Sequence, residues 1–123
     1  MDWKLELVAI PVSDVDRAKA FYTEKAGFIA DHDHRVGDKI RFIQLTPPGS
    51  ACSIALGNGI TDAPPGSVQG MQMVVPDIHA ARAELVERGV EVGEVQEFSW
   101  GSFLFFSDPD GNRWAVQELP ARG

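Results

Sequence analysis

Few side chains in this sequence are equipped for chemistry. Its 123 residues include three histidines and one cysteine, and two of the histidines share one short run, Asp31-His32-Asp33-His34. Imidazole and carboxylate are the donors that hold divalent transition ions. On a strand, His32 and His34 project to one face and could share an ion, but the run reads first as a polar, solvent-exposed strand end leading into a turn. His79 falls just inside a helical pattern, on its polar side, and reads as a solvated residue. Cys52 sits among small and apolar neighbours and reads as core. No catalytic pair is visible, although a Ser/His/Asp or Cys/His set assembles in space rather than in sequence. Trp100, within Phe98-Ser99-Trp100-Gly101-Ser102, lies in a loop before a strand. Its ring could close over a ligand, or serve packing or a subunit contact.

The elements that must position these side chains occur twice. Ile10-Pro11-Val12-Ser13-Asp14-Val15-Asp16-Arg17-Ala18-Lys19-Ala20 is answered, sixty-three positions on, by Met73-Val74-Val75-Pro76-Asp77-Ile78-His79-Ala80-Ala81-Arg82-Ala83. Each is an apolar run ending in an Asp that can cap an Ala-rich helix. Val15, Ala18 and Tyr22 share one helical face, and Ile78, Ala81 and Leu85 repeat the spacing. Gly27 and Gly89 stop the two helices. Strands are expected over residues 5–12, 28–34, 39–46 and 52–57, and over 91–96, 102–107 and 113–119. Turn-favouring runs such as Pro47-Pro48-Gly49 and Asp108-Pro109-Asp110-Gly111-Asn112 separate them. The order is βαβββ twice, with module one at 1–57, a linker at 58–67 and module two at 68–120 of one domain. Two similar units that bury their faces together create a seam in which ligand sites form.

Composition narrows the function. A chain of this length with 44% hydrophobic residues can bury a real core. A net charge of −7, from 18 acidic and 11 basic residues, with no Lys/Arg cluster, argues against nucleic acid or an anionic membrane as partner and suits a neutral or cationic ligand. A lone cysteine forms no intrachain disulfide. The N-terminal residues lack the pattern of a signal peptide and no long apolar run occurs, so the cytoplasm is the expected location.

The segment Val12-Ser13-Asp14-Val15-Asp16-Arg17-Ala18-Lys19-Ala20-Phe21-Tyr22 resembles the strand-to-helix opening of the vicinal oxygen chelate superfamily, the glyoxalase/bleomycin-resistance/dioxygenase proteins. Ser107-Asp108-Pro109-Asp110-Gly111-Asn112 resembles its late hairpin. With the duplication, the resemblance covers essentially the whole chain. It implies an α+β fold, two βαβββ modules forming a cupped mixed sheet with the site inside the cup, and frequent homodimerisation.

Metal-dependent members of that family hold a divalent ion with His and Glu from four strands. Counted back from Asp14 and Asp77, and placed on the closing strands, those positions fall here on Leu7, Met71, Ala55 and Ala115. Leu and Ala carry no lone pair and a thioether is a poor ligand for such ions, so the resemblance implies a lost metal site and no cofactor. Leu7, Met71 and Met73 are expected to face into the cup, with Ser53, Arg113 and Gln117 as polar contacts. Gln44 is a further candidate, or an ordinary surface residue. Of Phe103, Phe105 and Phe106, at least one is expected to be core. The expected function is metal-free binding of a small, partly apolar, aromatic or cationic molecule by a cytoplasmic homodimer, at Leu7, Gln44, Ser53, Ala55, Met71, Met73, Trp100, Arg113, Ala115 and Gln117. The alternative is a glyoxalase-like lyase, isomerase or dioxygenase-related enzyme using side-chain acid/base chemistry, or a metal relocated to His32 and His34.

Overall fold

The computed structural model describes residues 1–121. Two aspartates start the two helices in the same way. Asp14 is extended and its Oδ1 accepts from the Arg17 amide at 3.0 Å; Asp77 is extended and its Oδ1 accepts from the His79 and Ala80 amides, each at 3.0 Å. These bonds satisfy amides that a helix start otherwise leaves free. Helix α1 (Val15–Ala20) continues into a π-helical turn, Phe21–Lys25, whereas α2 (Ile78–Glu87) is regular. The wider turn lets Phe21 and Tyr22, neighbours in sequence, both point into the core.

The strands are β1 (Leu7–Ala9), β2 (Ile29–Val36), β3 (Ile40–Thr46) and β4 (Ser53–Asn58), then β5 (Met71–Val74), β6 (Gln96–Phe98), β7 (Gly101–Ser107) and β8 (Arg113–Glu118). They form two four-stranded sheets of the same topology, β1-β4-β3-β2 and β5-β8-β7-β6. In each, the first strand pairs parallel with the last and the others pair antiparallel. The expected α+β duplication is what the chain builds. Most strands fall within two residues of their expected bounds, and two differ by more. The first is shorter than 5–12: its ladder runs Leu7–Ala9, flanked by single bonds from Ser53 N to Glu6 O and Ile10 N to Ala55 O, and Pro11 has no N–H with which to continue. The strand expected at 91–96 forms at Gln96–Phe98 instead, because Val92 and Val95, three apart, both turn to the core while Gly93 O accepts from Arg82 Nε.

One hydrophobic core serves both sheets. Ile43, Leu45, Ile54 and Leu56 line the inner face of the first, Leu104, Phe106, Trp114 and Val116 that of the second, and Ala18, Phe21, Tyr22, Ile78 and Leu85 fill the space from the helices. Tyr22, Phe28 and Trp114 pack mutually edge-on or tilted, with centroids 5.4–5.8 Å apart. A buried polar joint ties the halves. The Tyr22 hydroxyl donates to Asp108 at 2.8 Å and accepts from Trp114 Nε1 at 2.9 Å, while Asn112 Nδ2 donates to Asp108 and to Pro11 O, each at 2.8 Å. Burial, reinforced by the Asp108 carboxylate, holds the Tyr22 phenol well above the ordinary tyrosine range. Among the described residues no helix is long and apolar enough to cross a membrane.

Candidate functional site

Because each sheet gives one face to the shared core, strand alternation leaves its other face open. On the second sheet that face is aromatic. Phe103 and Phe105 alternate with the buried Leu104 and Phe106, and their rings stack 6.4 Å apart at 9°. Phe98 of β6 meets Phe103 edge-on at 6.0 Å, and Trp100, in the turn between the strands, stacks on Phe98 at 4.8 Å and 10°. At the far end the Arg113 guanidinium lies 4.4 Å from the Phe105 ring centroid, a cation–π contact. Ala115 is paired with Phe105 and Gln117 with Phe103, so both belong to this face. Gln117 steadies the aromatic turn: its Nε2 donates to Trp100 O at 3.0 Å and its Oε1 accepts from Gln72 at 2.7 Å. Gly101 permits the close approach, since a Cβ there, at φ +141°, would lie 2.8 Å from Glu118 O. A hollow of about 170 Å3 lies beside the ladder, lined by Phe105, Arg113 and Ala115 and by the backbone run 69–72, which includes Met71.

The open face of the first sheet is richer in polar groups, which share it with Phe42, Leu7 and Ala55. Gln44 pairs with Ala55 on one side and His32 on the other, and Leu7 pairs with Ser53. A chain of side-chain hydrogen bonds crosses three strands here: Thr46 Oγ1 to Asp31, Thr46 Oγ1 with Ser53 Oγ at 2.6 Å, and Gln44 Nε2 to Ser53 Oγ at 3.2 Å. Asp31 joins it through a register shift between Ala30 and His32 that breaks the alternation of β2. His32 and His34 are exposed on this same face, with ring centroids 5.5 Å apart at 24°. Among the described residues no three His, Cys, Asp or Glu side chains gather around a point that could hold a metal ion.

Seven of the ten expected contacts, Leu7, Gln44, Ser53, Ala55, Arg113, Ala115 and Gln117, thus lie on the open faces, and Trp100 lies beside one. Met71 and Met73 do not. They pair with the buried Trp114 and Val116 and pack against the core, while their neighbour Gln72 pairs with Ala115 on the open face. The cause is a slip of one residue. Leu7 and Met71 are sixty-four positions apart, whereas the helix caps are sixty-three apart, and strand parity reverses with a single step. Cys52 is half-buried at the entrance to β4 rather than core, because the strand begins after it. His79 is exposed on α2, as expected, and Phe106 is the core member of its phenylalanine trio. Phe98, Phe103, Phe105 and Gln72 are not among the contacts expected from the sequence; alternation anchored on the sixty-three-residue offset identifies Phe103, Phe105 and Gln72, whereas for Phe98 it points to Arg35, which pairs with the inward Arg41, and only the pairing of β6 with β7 places it.

The shifted ionisable groups lie off these faces. Arg41 of β3, almost fully buried, donates to Asp33 at 3.0 and 3.1 Å and to Asp16 at 2.6 Å. Those bonds raise the guanidinium above its ordinary range and, with Lys19 at 2.8 Å, hold the Asp33 carboxyl well below its own. Asp33 is paired with the buried Ile43, so this network fastens α1 to the inner side of the sheet. A cleft of about 450 Å3 runs along the unpaired edge of β5, between α2 and the Pro47–Ser50 turn. The open faces themselves offer ring stacking, a cation over a ring, and amide and hydroxyl contacts, all of which are means of recognition.

Comparison with known proteins agrees with this geometry. The sequence profile of the Glyoxalase/Bleomycin resistance protein/Dioxygenase superfamily matches residues 4–116. TnmS3, an antibiotic binding protein from Streptomyces sp. CB03234, shares the fold at a TM-score of 0.86 and 36% identity, over 97% of this chain and 98% of its own. A member of the superfamily from Sphaerobacter thermophilus DSM 20745 does so at 0.82 and 31%, over 95% and 98%. The uncharacterized protein YetH of Bacillus subtilis (strain 168) is 29% identical over 119 residues, which is 90% of this chain and 94% of YetH. Matching in sequence and in the arrangement of both sheets along nearly its full length, the chain belongs to the Glyoxalase/Bleomycin resistance protein/Dioxygenase superfamily.

Proposed function

We propose that this protein binds a small, planar, partly aromatic molecule, and that it does so in the cytoplasm as a homodimer, without a bound metal or cofactor. The observation that carries the reading is the ladder of exposed Trp100 and Phe98 and half-buried Phe103 and Phe105 on one open face, ending in Arg113. Aromatic rings left in water are costly, and a surface of aligned rings is matched by a flat ligand that stacks on it. The likeness to an antibiotic binding protein supports a small-molecule ligand. Leu7, Ala55 and Ala115, on which the family resemblance puts the metal-ligand positions, carry no donor atom, which supports a role without metal chemistry. Within one chain the two open faces lie outside the shared core, so a cup that encloses a ligand needs a second copy, whose polar face would oppose the aromatic one.

Titration with 2-methoxynaphthalene, followed by tryptophan fluorescence and thermal shift, tests the binding claim. The protein should bind it and melt higher in its presence, and Trp100→Ala should weaken binding about fivefold, the value of one stacking contact of about 1 kcal/mol. Absence of binding, or binding as tight as the parent's in both Trp100→Ala and Phe98→Ala, would sink the reading.

A further inference from the structure

We infer that Gln44 presents a fixed carbonyl acceptor to the ligand, so that the site selects planar molecules bearing a hydrogen-bond donor, such as a hydroxyl, an amide N–H or an ammonium group, over the same skeleton without one. This deepens the binding function proposed for the open faces and rests on it. The hydrogen-bonded chain Asp31, Thr46, Ser53, Gln44 has a direction set at one end. A carboxylate accepts and does not donate, so the single Thr46 hydroxyl proton goes to Asp31. Thr46 Oγ1 then meets Ser53 as acceptor, and Ser53 must supply the proton of their 2.6 Å bond. With its proton committed, Ser53 Oγ can only accept, and the group 3.2 Å away that donates to it is Gln44 Nε2. Every donor in the chain therefore points toward Asp31, and the amide of Gln44 cannot turn over without placing two acceptors against each other. Its Oε1 is left with no hydrogen bond among the described residues, on a half-buried side chain in the middle of the open face, with Ala55 on the strand to one side. An acceptor held in this way costs little reordering when a donor arrives and gains nothing from a ligand that lacks one.

The same logic makes Asp31 the polarity switch. Asp31→Asn keeps the shape but can donate to Thr46, which permits the whole chain to reverse and Gln44 to offer an N–H instead. The test uses 2-naphthol and 2-methoxynaphthalene, which share a ring system and differ in the donor. Calorimetry should show the parent binding 2-naphthol about fivefold more tightly than its methyl ether, the worth of one hydrogen bond. Gln44→Leu should bring the two affinities together, and Asp31→Asn should shrink or invert the preference, with circular dichroism confirming that each variant is folded. Equal affinities in the parent, a comparison that needs no variant, would overturn the inference while leaving the binding function intact, as would a preference unchanged in folded Asp31→Asn. Binding of neither compound would remove the binding function and this inference with it.

Discussion

Tyr22 is the only tyrosine of the chain, and its hydroxyl is the knot of the joint between the halves. Tyr22→Phe would leave Trp114 Nε1 without its acceptor and Asp108 without one of its donors, and should cost about 1–3 kcal/mol in urea denaturation. The phenol also sets an alkaline limit. Because the folded state holds its proton more tightly than the unfolded chain does, the resulting stability is complete below the ordinary tyrosine value of 10.0 and drains away as pH rises beyond it. Phenolate absorbance should therefore appear together with loss of the far-ultraviolet dichroism; a phenol that titrates near 10 in a folded protein would refute the burial argument. At this scale the sequence was partly legible. Asp14 and Asp77 could be read as caps because capping is local in sequence. The partnership of Tyr22 with Asp108 could not, since it joins residues eighty-six positions apart through tertiary packing.

Among the elements, β5 shows how much rests on parity. Met71 packs against the core while Gln72 lies exposed beside Ala115. Met71→Asp should destabilise by about 2–4 kcal/mol, as a charge forced toward an apolar core does, and Gln72→Asp by no more than about 1 kcal/mol. Chemical denaturation of the pair measures the difference, and equal losses would show that the strand is assigned to the wrong face. The number and order of the strands were readable, because apolar runs and turn residues mark them. Their exact faces were readable on β4 and β8, where Ala55 and Ala115 lie as expected, but not on β5, where a count from the helix cap slipped by one. The register shift in β2 that brings Asp31 alongside Thr46 has no signature in the sequence.

For the molecule as a whole, the duplication makes the fold legible in the sequence, because two copies of one pattern demand two similar modules. What it did not show was that both modules turn their helices and inner faces to one core and leave two unlike faces outside. Trp100 and Val74 are 61% and 63% exposed, an arrangement that a second copy would relieve. Sedimentation should find a dimer at micromolar concentration; a monomer there would mean that each ligand meets a single open sheet. The shared core has a further consequence, for the history of such a protein. Alternate residues of every strand answer to different demands: those turned inward maintain the fold, and those turned outward meet whatever the protein meets. Exchanging a phenylalanine or a glutamine on the outer side leaves the packing of Trp114, Tyr22 and Leu45 untouched. Lineages built on this plan can therefore change what they recognise in single mutational steps, with little stability lost along the way.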